Sequence, residues 1–425
     1  MGGIIGSGIF RNPSVVAKIV WIPGAIIGVW IAGGAISILG AFVIAELAAR
    51  RPQDGGFYAY LRDAFHPLVA FMYGWTLLLA SQSGGMAAAA LTFAGYYPAL
   101  TGRTDDPLLI AFAVLATFTI INCLGVRQGG NLQNVFMVLK IGAIVLLIGA
   151  GFIAHPAASA AAQTPNAPTT LALLGAMAAS MVAVMFAYSG WQTASFMSGE
   201  LKNPTRTLPL GLLWGVGGVI ALYLLINVVC LRVLGVNGLM HTDAPASEVA
   251  RAFMGARGAQ VMAAIISLST LGFLSNQILT SPRVYHAMAE DGLFFRWIAW
   301  VHPKTRVPIV AIALQGVVAI MITFFYKGYS QILGYVIGVD FLFFALAAAA
   351  IFVFRARDRG ERVSFSVPFH PYTTALFMLI ALGIAVTSYL QSWQGTAVTF
   401  GLFAVAVPVY FSFVRARREA TGRIA

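Results

Sequence analysis

Long stretches without a charged residue constrain this chain more than any other feature of its sequence. Charge-free runs of 20 or more residues occupy positions 24–45, 107–126, 207–231, 258–282 and 307–326. A helix that crosses the apolar core of a bilayer needs about 20 predominantly apolar residues. The sequence therefore predicts an all-α membrane protein. A transmembrane β-barrel is not favoured, because its strands would be about ten residues long and would alternate strictly.

Dividing the longer runs at their polar turns predicts 12 membrane spans in a single transmembrane domain that covers residues 1–425. The spans lie at residues 1–20, 25–49, 66–94, 107–126, 131–154, 172–199, 208–231, 258–285, 308–326, 330–354, 372–390 and 395–414. They group as a first five-span unit (1–154), a second (172–354) and two additional spans (372–414). An odd number of spans per unit inverts the second copy in the membrane, as in inverted-topology repeats.

The distribution of basic residues predicts the orientation. Of 26 Lys and Arg residues, 18 lie in segments on one side, 6 lie on the other, and Arg11 and Lys140 lie within spans. Cytoplasmic loops of membrane proteins carry such an excess. We therefore expect both termini in the cytoplasm and the chain in the plasma (inner) membrane. The net charge of +12 then reflects topology, and nucleic acid is not an expected partner.

Two glycine-containing triplets interrupt apolar spans, Gly6-Ser7-Gly8 in the first span and Tyr188-Ser189-Gly190 in the sixth. Glycine within a helix costs about 1 kcal/mol relative to alanine, so two such breaks suggest a use. Paired interruptions in corresponding halves of a polytopic chain indicate a solute site near the middle of the bilayer. Close helix packing by small residues is the alternative interpretation.

The two breaks predict opposite electrostatic ends of one site. A helix that begins in mid-membrane at Gly8 exposes free N–H groups and a positive dipole end, which suits a carboxylate. A helix that ends near Tyr188 exposes carbonyl groups and a negative dipole end, which suits an ammonium group. A free α-amino acid carries both charges. Phe186 and Trp191, which flank the second break, are candidate gates, although either could be a lipid-facing or core aromatic residue.

Lys140 is a third candidate. It lies nine residues after the predicted start of its span at Asn131, which places it about 14 Å into the membrane at 1.5 Å per residue. An ionisable residue at that depth is a functional-site hypothesis by default. Its ammonium could hold the broken first helix in the place of a sodium ion, or could lose its proton and couple transport to protons.

Enzyme chemistry is not indicated. The sequence lacks His-Glu-x-x-His, Cys-x-x-Cys and Gly-x-Ser-x-Gly motifs, which would mark a metal centre or a nucleophile. The two cysteines, Cys123 and Cys230, lie in apolar spans and are expected to be small buried side chains. We expect neither a cofactor nor a metal.

Both breaks resemble signatures of the amino acid–polyamine–organocation (APC) permeases. Gly6-Ser7-Gly8-Ile9-Phe10 is similar to that family's first helix. Phe186 to Trp191, followed by Gly199-Glu200-Leu201-Lys202-Asn203-Pro204, is similar to its sixth helix and the loop after it. The resemblance covers nearly the whole chain and implies a LeuT-like transporter fold with five-plus-five inverted repeats and alternating access.

The resemblance also implies roles for residues. Ser7, Gly8 and Ile9, with Gly6 beside them, would bind the substrate carboxylate through the backbone. Carbonyls around Phe186, Ala187, Ser189 and Gly190 would bind the amino group. Phe186 is similar to the family's gating aromatic residue, and Lys140 is similar to the fifth-helix lysine of sodium-independent members, which include exchangers and proton-coupled permeases.

These observations favour a sodium-independent transporter of neutral amino acids, by exchange or proton-coupled symport. A polyamine or organic-cation carrier and a non-transporting membrane solute sensor are the alternatives. A cation without a carboxylate would leave the donors at Gly6–Gly8 unused. Only five residues precede Gly6, so the first helix is expected to be truncated before its break.

Overall fold

The computed structural model of the protein describes residues 1–153, 169–325, 329–360 and 363–422, and no strand occurs within them. The helices are, in chain order, α1 (Gly8–Ile19), α2 (Pro23–Arg50), α3 (Phe57–Ala64), α4 (Pro67–Thr76), α5 (Gln82–Thr101), α6 (Pro107–Cys123), α7 (Val126–Ile153), α8 (Thr170–Tyr188), α9 (Pro204–Met240), α10 (Pro245–Met254), α11 (Ala256–Thr280), α12 (Pro282–Glu290), α13 (Ile309–Phe325), α14 (Tyr329–Arg357), α15 (Tyr372–Gln391) and α16 (Trp393–Gly422).

The predicted all-helical membrane fold is confirmed. Nine helical segments of the described chain are long and apolar enough to cross a membrane, and α6 and α13 are shorter apolar helices. With the broken α1, these segments correspond to the twelve predicted spans. Three ends differ most from the prediction, since α5 continues to Thr101, α9 to Met240 and α16 to Gly422. The division into repeats at 1–154, 172–354 and 372–414 stays a prediction.

Helix α1 lies at the centre of the packing. It contacts α8, α9 and α10, while α2 packs along α9 and α5 packs along α11. Residues Gly8, Ile9 and Phe10, in its first turn, are buried. A buried helix start needs partners for its free N–H groups other than water, so this position at the centre makes the α1 terminus a candidate site.

The side on which most basic residues lie is closed by the segment before α3. The backbone N–H of Gly199 donates to Asp54 Oδ1 over 2.8 Å, and the N–H of Gly55 donates to the Phe196 carbonyl over 3.2 Å. In α3, Tyr58 and Arg62 both donate to the carboxylate of Asp291, over 2.7 and 2.6 Å. These contacts join residues 54–62, in the predicted first five-span unit, to Phe196, Gly199 and Asp291 in the predicted second unit. The short helix expected within residues 52–63 is therefore present as α3.

Glu46, at the same side, holds three chain segments together. Its carboxylate is 0 % exposed and accepts hydrogen bonds from Arg50 Nε at 2.8 Å and from Arg355 Nε and Nη2 at 2.8 and 2.6 Å. The Val367 N–H donates to it over 2.6 Å. The buried carboxylate thus balances two guanidinium groups.

We expect Glu46→Gln to destabilise the fold. Removing one member of a buried ionic network costs about 3–5 kcal/mol, because the remaining charges lose their compensation. The measurement is the apparent unfolding temperature of the purified protein in detergent, which should fall by several degrees. Glu248→Gln is the matched control, since Glu248 pairs with Arg251 at 3.2 Å on an exposed surface, where such pairs contribute little. Equal unfolding temperatures for the two variants would contradict this account of Glu46.

Candidate functional site

Both predicted breaks are helix ends in the structure. Helix α1 begins at Gly8, and the Ser7 side chain gives its first turn no capping hydrogen bond. Helix α8 ends at Tyr188, Gly190 has a φ of 111°, and the chain continues as a 3-10 segment, Trp191–Glu200. The sequence signals for these two interruptions were therefore reliable.

The two breaks lie backbone against backbone. A Cβ atom built on Gly8 would lie 3.0 Å from the Cα of Ala187, and one built on Gly190 would lie 2.0 Å from the carbonyl oxygen of Gly3. A side chain at Gly190 would therefore collide with backbone, and its positive φ also favours glycine. Glycine at these positions lets two unwound segments share one small space.

Lys140 stabilises the segment before α1. Its side chain is 0 % exposed, and Nζ donates to the carbonyl oxygens of Gly2 at 2.8 Å and Ile5 at 2.7 Å. These carbonyls precede the helix start and cannot form regular helical hydrogen bonds. Hydrogen bonds from a charged donor are about twice as strong as neutral ones. Lys140 thus occupies a position beside the break, behind the cavity described below.

Tyr223, on α9, connects the two breaks. Its hydroxyl lies 3.1 Å from the Ala187 carbonyl oxygen and 3.3 Å from the Ile4 carbonyl oxygen, so that one O–H donor reaches both segments. On the α11 side, Ser269 Oγ donates to the Gly6 carbonyl over 3.3 Å. Sequence reasoning missed Tyr223, because one tyrosine within a long apolar helix carries no local signal.

Side chains from neighbouring positions form hydrogen bonds with the backbone groups of the second break. The Gly190 N–H donates to Gln192 Oε1 over 2.9 Å, and Thr193 Oγ1 donates to the Gly190 carbonyl over 2.8 Å. Asn276 Nδ2 in turn donates to Thr193 over 3.2 Å. On the other side of the contact, Asn12 Nδ2 donates to the Ala183 carbonyl over 2.6 Å and ties α1 to α8. The unwound backbone is thus held in one conformation.

A cavity of about 40 Å³ lies between the breaks. Its wall includes seven of the sequence-predicted residues, namely Gly6, Ser7, Gly8, Phe186, Ala187, Ser189 and Gly190. Ile9, Trp191 and Lys140 are absent from this wall. Trp191 lines a neighbouring cavity with Gly2 and Gly3, and its ring packs 4.8 Å from that of Phe344.

The remaining wall of the cavity is polar on one side and aromatic on the other. Ser81, Gln82, Gln277 and Asp340 provide the polar groups, and Phe273 adds a ring to that of Phe186. The sequence alone did not single out Gln277 or Phe273. The helices that carry Gln82, Gln277 and Asp340, namely α5, α11 and α14, meet only through the tertiary fold.

The cavity has the electrostatic asymmetry expected from the sequence. The α1 N-terminus presents the positive end of a helix dipole, and the α8 C-terminus presents a negative end. At the α8 end, the hydroxyl of Ser189 donates to the Met185 carbonyl over 2.8 Å, which leaves its oxygen lone pairs as acceptors. An anionic group and a cationic group a few ångströms apart would match these two ends.

A larger vestibule of about 470 Å³ adjoins this cavity and shares Ser7 with it. Arg11, Tyr96 and Asp243 line the vestibule. Lys18 Nζ donates to Asp243 over 2.7 Å, and this hydrogen bond holds the pKa of the Asp243 carboxyl below its usual range. Since the opposite side is closed by α3 and its neighbours, this vestibule is the wider approach to the cavity.

An all-helical membrane protein in which two broken helices meet at an enclosed cavity has the architecture of a solute transporter. Sequence comparison agrees with this class. The sequence model of the amino acid permease family matches residues 1–414. The chain belongs to the amino acid permease family.

Several relatives match along nearly the whole chain. The serine/threonine exchanger SteT of Bacillus subtilis is 26 % identical over 415 residues, which cover 97 % of this chain and 93 % of that protein. The b(0,+)-type amino acid transporter 1 of Mus musculus is 26 % identical over 428 residues, covering 98 % and 87 %. The human large neutral amino acids transporter small subunit 2 is 27 % identical over 430 residues, covering 97 % and 78 %. These relatives are transporters, which supports the same general class for this chain.

We expect Gly190→Ala to disrupt the site. The added methyl would collide with the Gly3 carbonyl and strain a positive φ, so the contact between the breaks should open and substrate transport in liposomes should fall at least tenfold. Gly175→Ala, on the preceding helix α8, is the matched control, because a Cβ there has no neighbour within 4 Å. Transport by the Gly190 variant at the level of the Gly175 variant would contradict the close approach of the two segments.

Proposed function

We propose that the protein is a sodium-independent transporter of small neutral amino acids that works by alternating access. The observation that carries the proposal is the contact of the Lys140 ammonium with the Gly2 and Ile5 carbonyls, at 2.8 and 2.7 Å. A fixed cation at the broken first helix removes the need for a bound sodium ion there. The family assignment supports amino acids as the substrate class.

The substrate carboxylate is proposed to bind the α1 terminus. The backbone N–H groups of Ser7, Gly8 and Ile9, together with the Ser7 hydroxyl, are the donors, and Gly6 leaves room for close approach. Free N–H groups and the positive dipole end favour an anion at this position. Ile9, which is absent from the cavity wall, would act through its backbone N–H alone.

The substrate amino group is proposed to bind the α8 terminus. Carbonyl groups of Phe186 and Ala187 and the oxygen atoms of Ser189, next to Gly190, are the acceptors. The Ala187 carbonyl already accepts from Tyr223 at 3.1 Å, but a carbonyl oxygen has a second lone pair. The substrate ammonium and the Tyr223 hydroxyl can therefore share this oxygen.

The cavity supports a preference for small neutral substrates. By the same measure of volume, one water molecule needs about 10–15 Å³, so about 40 Å³ leaves little room beyond the α-carbon and a short side chain. The rings of Phe186 and Phe273 limit it further. The relative from Bacillus subtilis is named a serine/threonine exchanger, which agrees with substrates of this size.

Alternating access requires gates on both sides of the cavity. Phe186, in the cavity wall, is the proposed gate on the vestibule side, and Trp191, packed against Phe344, is the proposed gate on the opposite side. The proposed moving parts are the two five-helix units, 1–154 and 172–354. We place both termini in the cytoplasm and the protein in the plasma (inner) membrane, with the lipid bilayer as its surroundings.

The principal alternative is a polyamine or organic-cation transporter, and a solute sensor that does not transport is another. The free N–H groups at the α1 terminus favour a substrate with a carboxylate over a simple cation. Exchange and proton-coupled symport both fit the contacts of Lys140.

Uptake of radiolabelled L-serine into liposomes in sodium-free buffer tests the proposal. The wild-type protein should show counterflow without sodium. The uptake rate of Lys140→Met should be at least about tenfold lower, because two charge-assisted hydrogen bonds are removed. Lys304→Met, at an exposed lysine, is the matched control and should transport normally.

Strict dependence of wild-type uptake on sodium would contradict the role of Lys140. Absence of counterflow with L-serine and with each of the other common amino acids would contradict amino acid transport as a whole.

A further inference from the structure

Asp340 is a buried carboxylate in the wall of the candidate site. It lies on α14, is 5 % exposed, and shares the cavity with the α1 terminus at Gly6 to Gly8. Its Oδ1 accepts a hydrogen bond from the Ser81 hydroxyl over 2.5 Å. The proposed binding of the substrate carboxylate and amino group does not use this side chain.

No cation compensates Asp340 within the described part of the chain. Lys140 donates to backbone carbonyls, Arg283 pairs with Glu200 at 2.9 Å, and Arg355 pairs with Glu46 at 2.6 Å. An isolated carboxylate inside a membrane protein is costly and is neutralised by a proton or by a bound cation. The cavity therefore needs one or the other when it closes around a substrate.

The size of the cavity favours a proton over a cationic substrate side chain. The α-carboxylate and α-ammonium of a zwitterion occupy the two broken helices, and a cavity of about 40 Å³ leaves no room for a long basic side chain beyond them. Gln277 Oε1, which is also buried in this wall without a hydrogen-bond partner in the described chain, is an acceptor like Asp340. A protonated Asp340 would add an O–H donor to the same wall.

The titratable groups on the elements packed against α14 do not take over this role. Tyr389 on α15 lies against Gly338, and Tyr73 on α4 packs 5.1 Å from Phe343. Tyrosine hydroxyls are uncharged near neutral pH. The charged groups of α2, α3 and α16 lie at or beyond the side of the protein that α3 and the segment before it close. The described titratable and charged groups on these elements are Glu46 and Arg50 (α2), Tyr58, Tyr60, Arg62 and Asp63 (α3), Tyr73 (α4), Tyr96 and Tyr97 (α5), Tyr188 (α8), Tyr372 and Tyr389 (α15), and Tyr410, Arg415, Arg417 and Glu419 (α16).

We propose that Asp340 carries the proton that accompanies the substrate through this transporter. The inference rests on the proposed transport function and adds to it the coupling ion and the residue that holds it. Asp340 takes a proton from water on the vestibule side when the substrate binds, and releases it to water on the opposite side after the substrate leaves. No bond of the substrate is made or broken.

Accumulation driven by a pH gradient tests this assignment. Liposomes containing wild-type protein, with the membrane potential clamped at zero, should concentrate L-serine about tenfold for an inward gradient of one pH unit and one proton per substrate. Asp340→Asn, which keeps the shape but binds no proton, should equilibrate L-serine without accumulating it. Asp105→Asn, at an exposed loop carboxylate, is the matched control and should accumulate like the wild type.

Accumulation by Asp340→Asn, or wild-type counterflow that a pH gradient does not drive into accumulation, would overturn the assignment while leaving amino acid transport intact. Absence of any counterflow by the wild type would instead overturn the transport function and this inference with it.

If Asp340→Asn proves inactive or unstable, the pH dependence of uptake by Ser81→Ala tests the assignment instead. Losing the hydroxyl that donates to Oδ1 disfavours the charged carboxylate, so the pH of half-maximal uptake should move upward. An unchanged pH profile would count against Asp340.

Discussion

The structure depends on one requirement, which is that backbone polar groups inside a membrane must find partners within the protein. Two helices break in the apolar interior, and each break leaves N–H and carbonyl groups without helical partners. Lys140, Tyr223 and Thr193 satisfy carbonyls of Gly2, Ile5, Ala187 and Gly190. The groups left over at the α1 and α8 termini face the cavity. The breaks are tolerable because side chains from distant helices stabilise them, and the unused groups give the site its chemistry.

In the proposed function, the close contact of two unwound segments is the basis of recognition. The glycines at positions 8 and 190 allow backbone to approach backbone, and the resulting cavity has a positive end and a negative end within a small volume. Lys140 donates hydrogen bonds to carbonyls of one of these segments, and Asp340 supplies a carboxylate in the cavity wall. The closed side, built from Glu46, Asp54 and Asp291, is held by ion pairs and hydrogen bonds that the proposed alternating access would have to break.

Sequence alone predicted those parts of the molecule that depend on local pattern. Charge-free runs located the membrane helices, and the Gly-Ser triplets located both breaks, because each effect acts within a few residues. The partners of the breaks were harder to predict. Tyr223 lies 36 residues from Ala187 and 219 from Ile4, and nothing in its own helix distinguishes it from other apolar positions. Helix α10 and the π-helical turn at Leu77–Ser81 were also missed, since they arise from packing against neighbours. The assignment of site residues to carboxylate and ammonium binding stays a prediction.

Competition with modified substrates tests the central claim most directly, namely that the two helix termini recognise the two charges of an amino acid. Sodium-free counterflow of labelled L-serine would be measured with unlabelled L-serine, its methyl ester and its deaminated analogue, L-glycerate. The account predicts that unlabelled L-serine competes fully and that neither analogue does, because each lacks one of the two charged groups. Competition by either analogue at the concentration at which L-serine competes would contradict it.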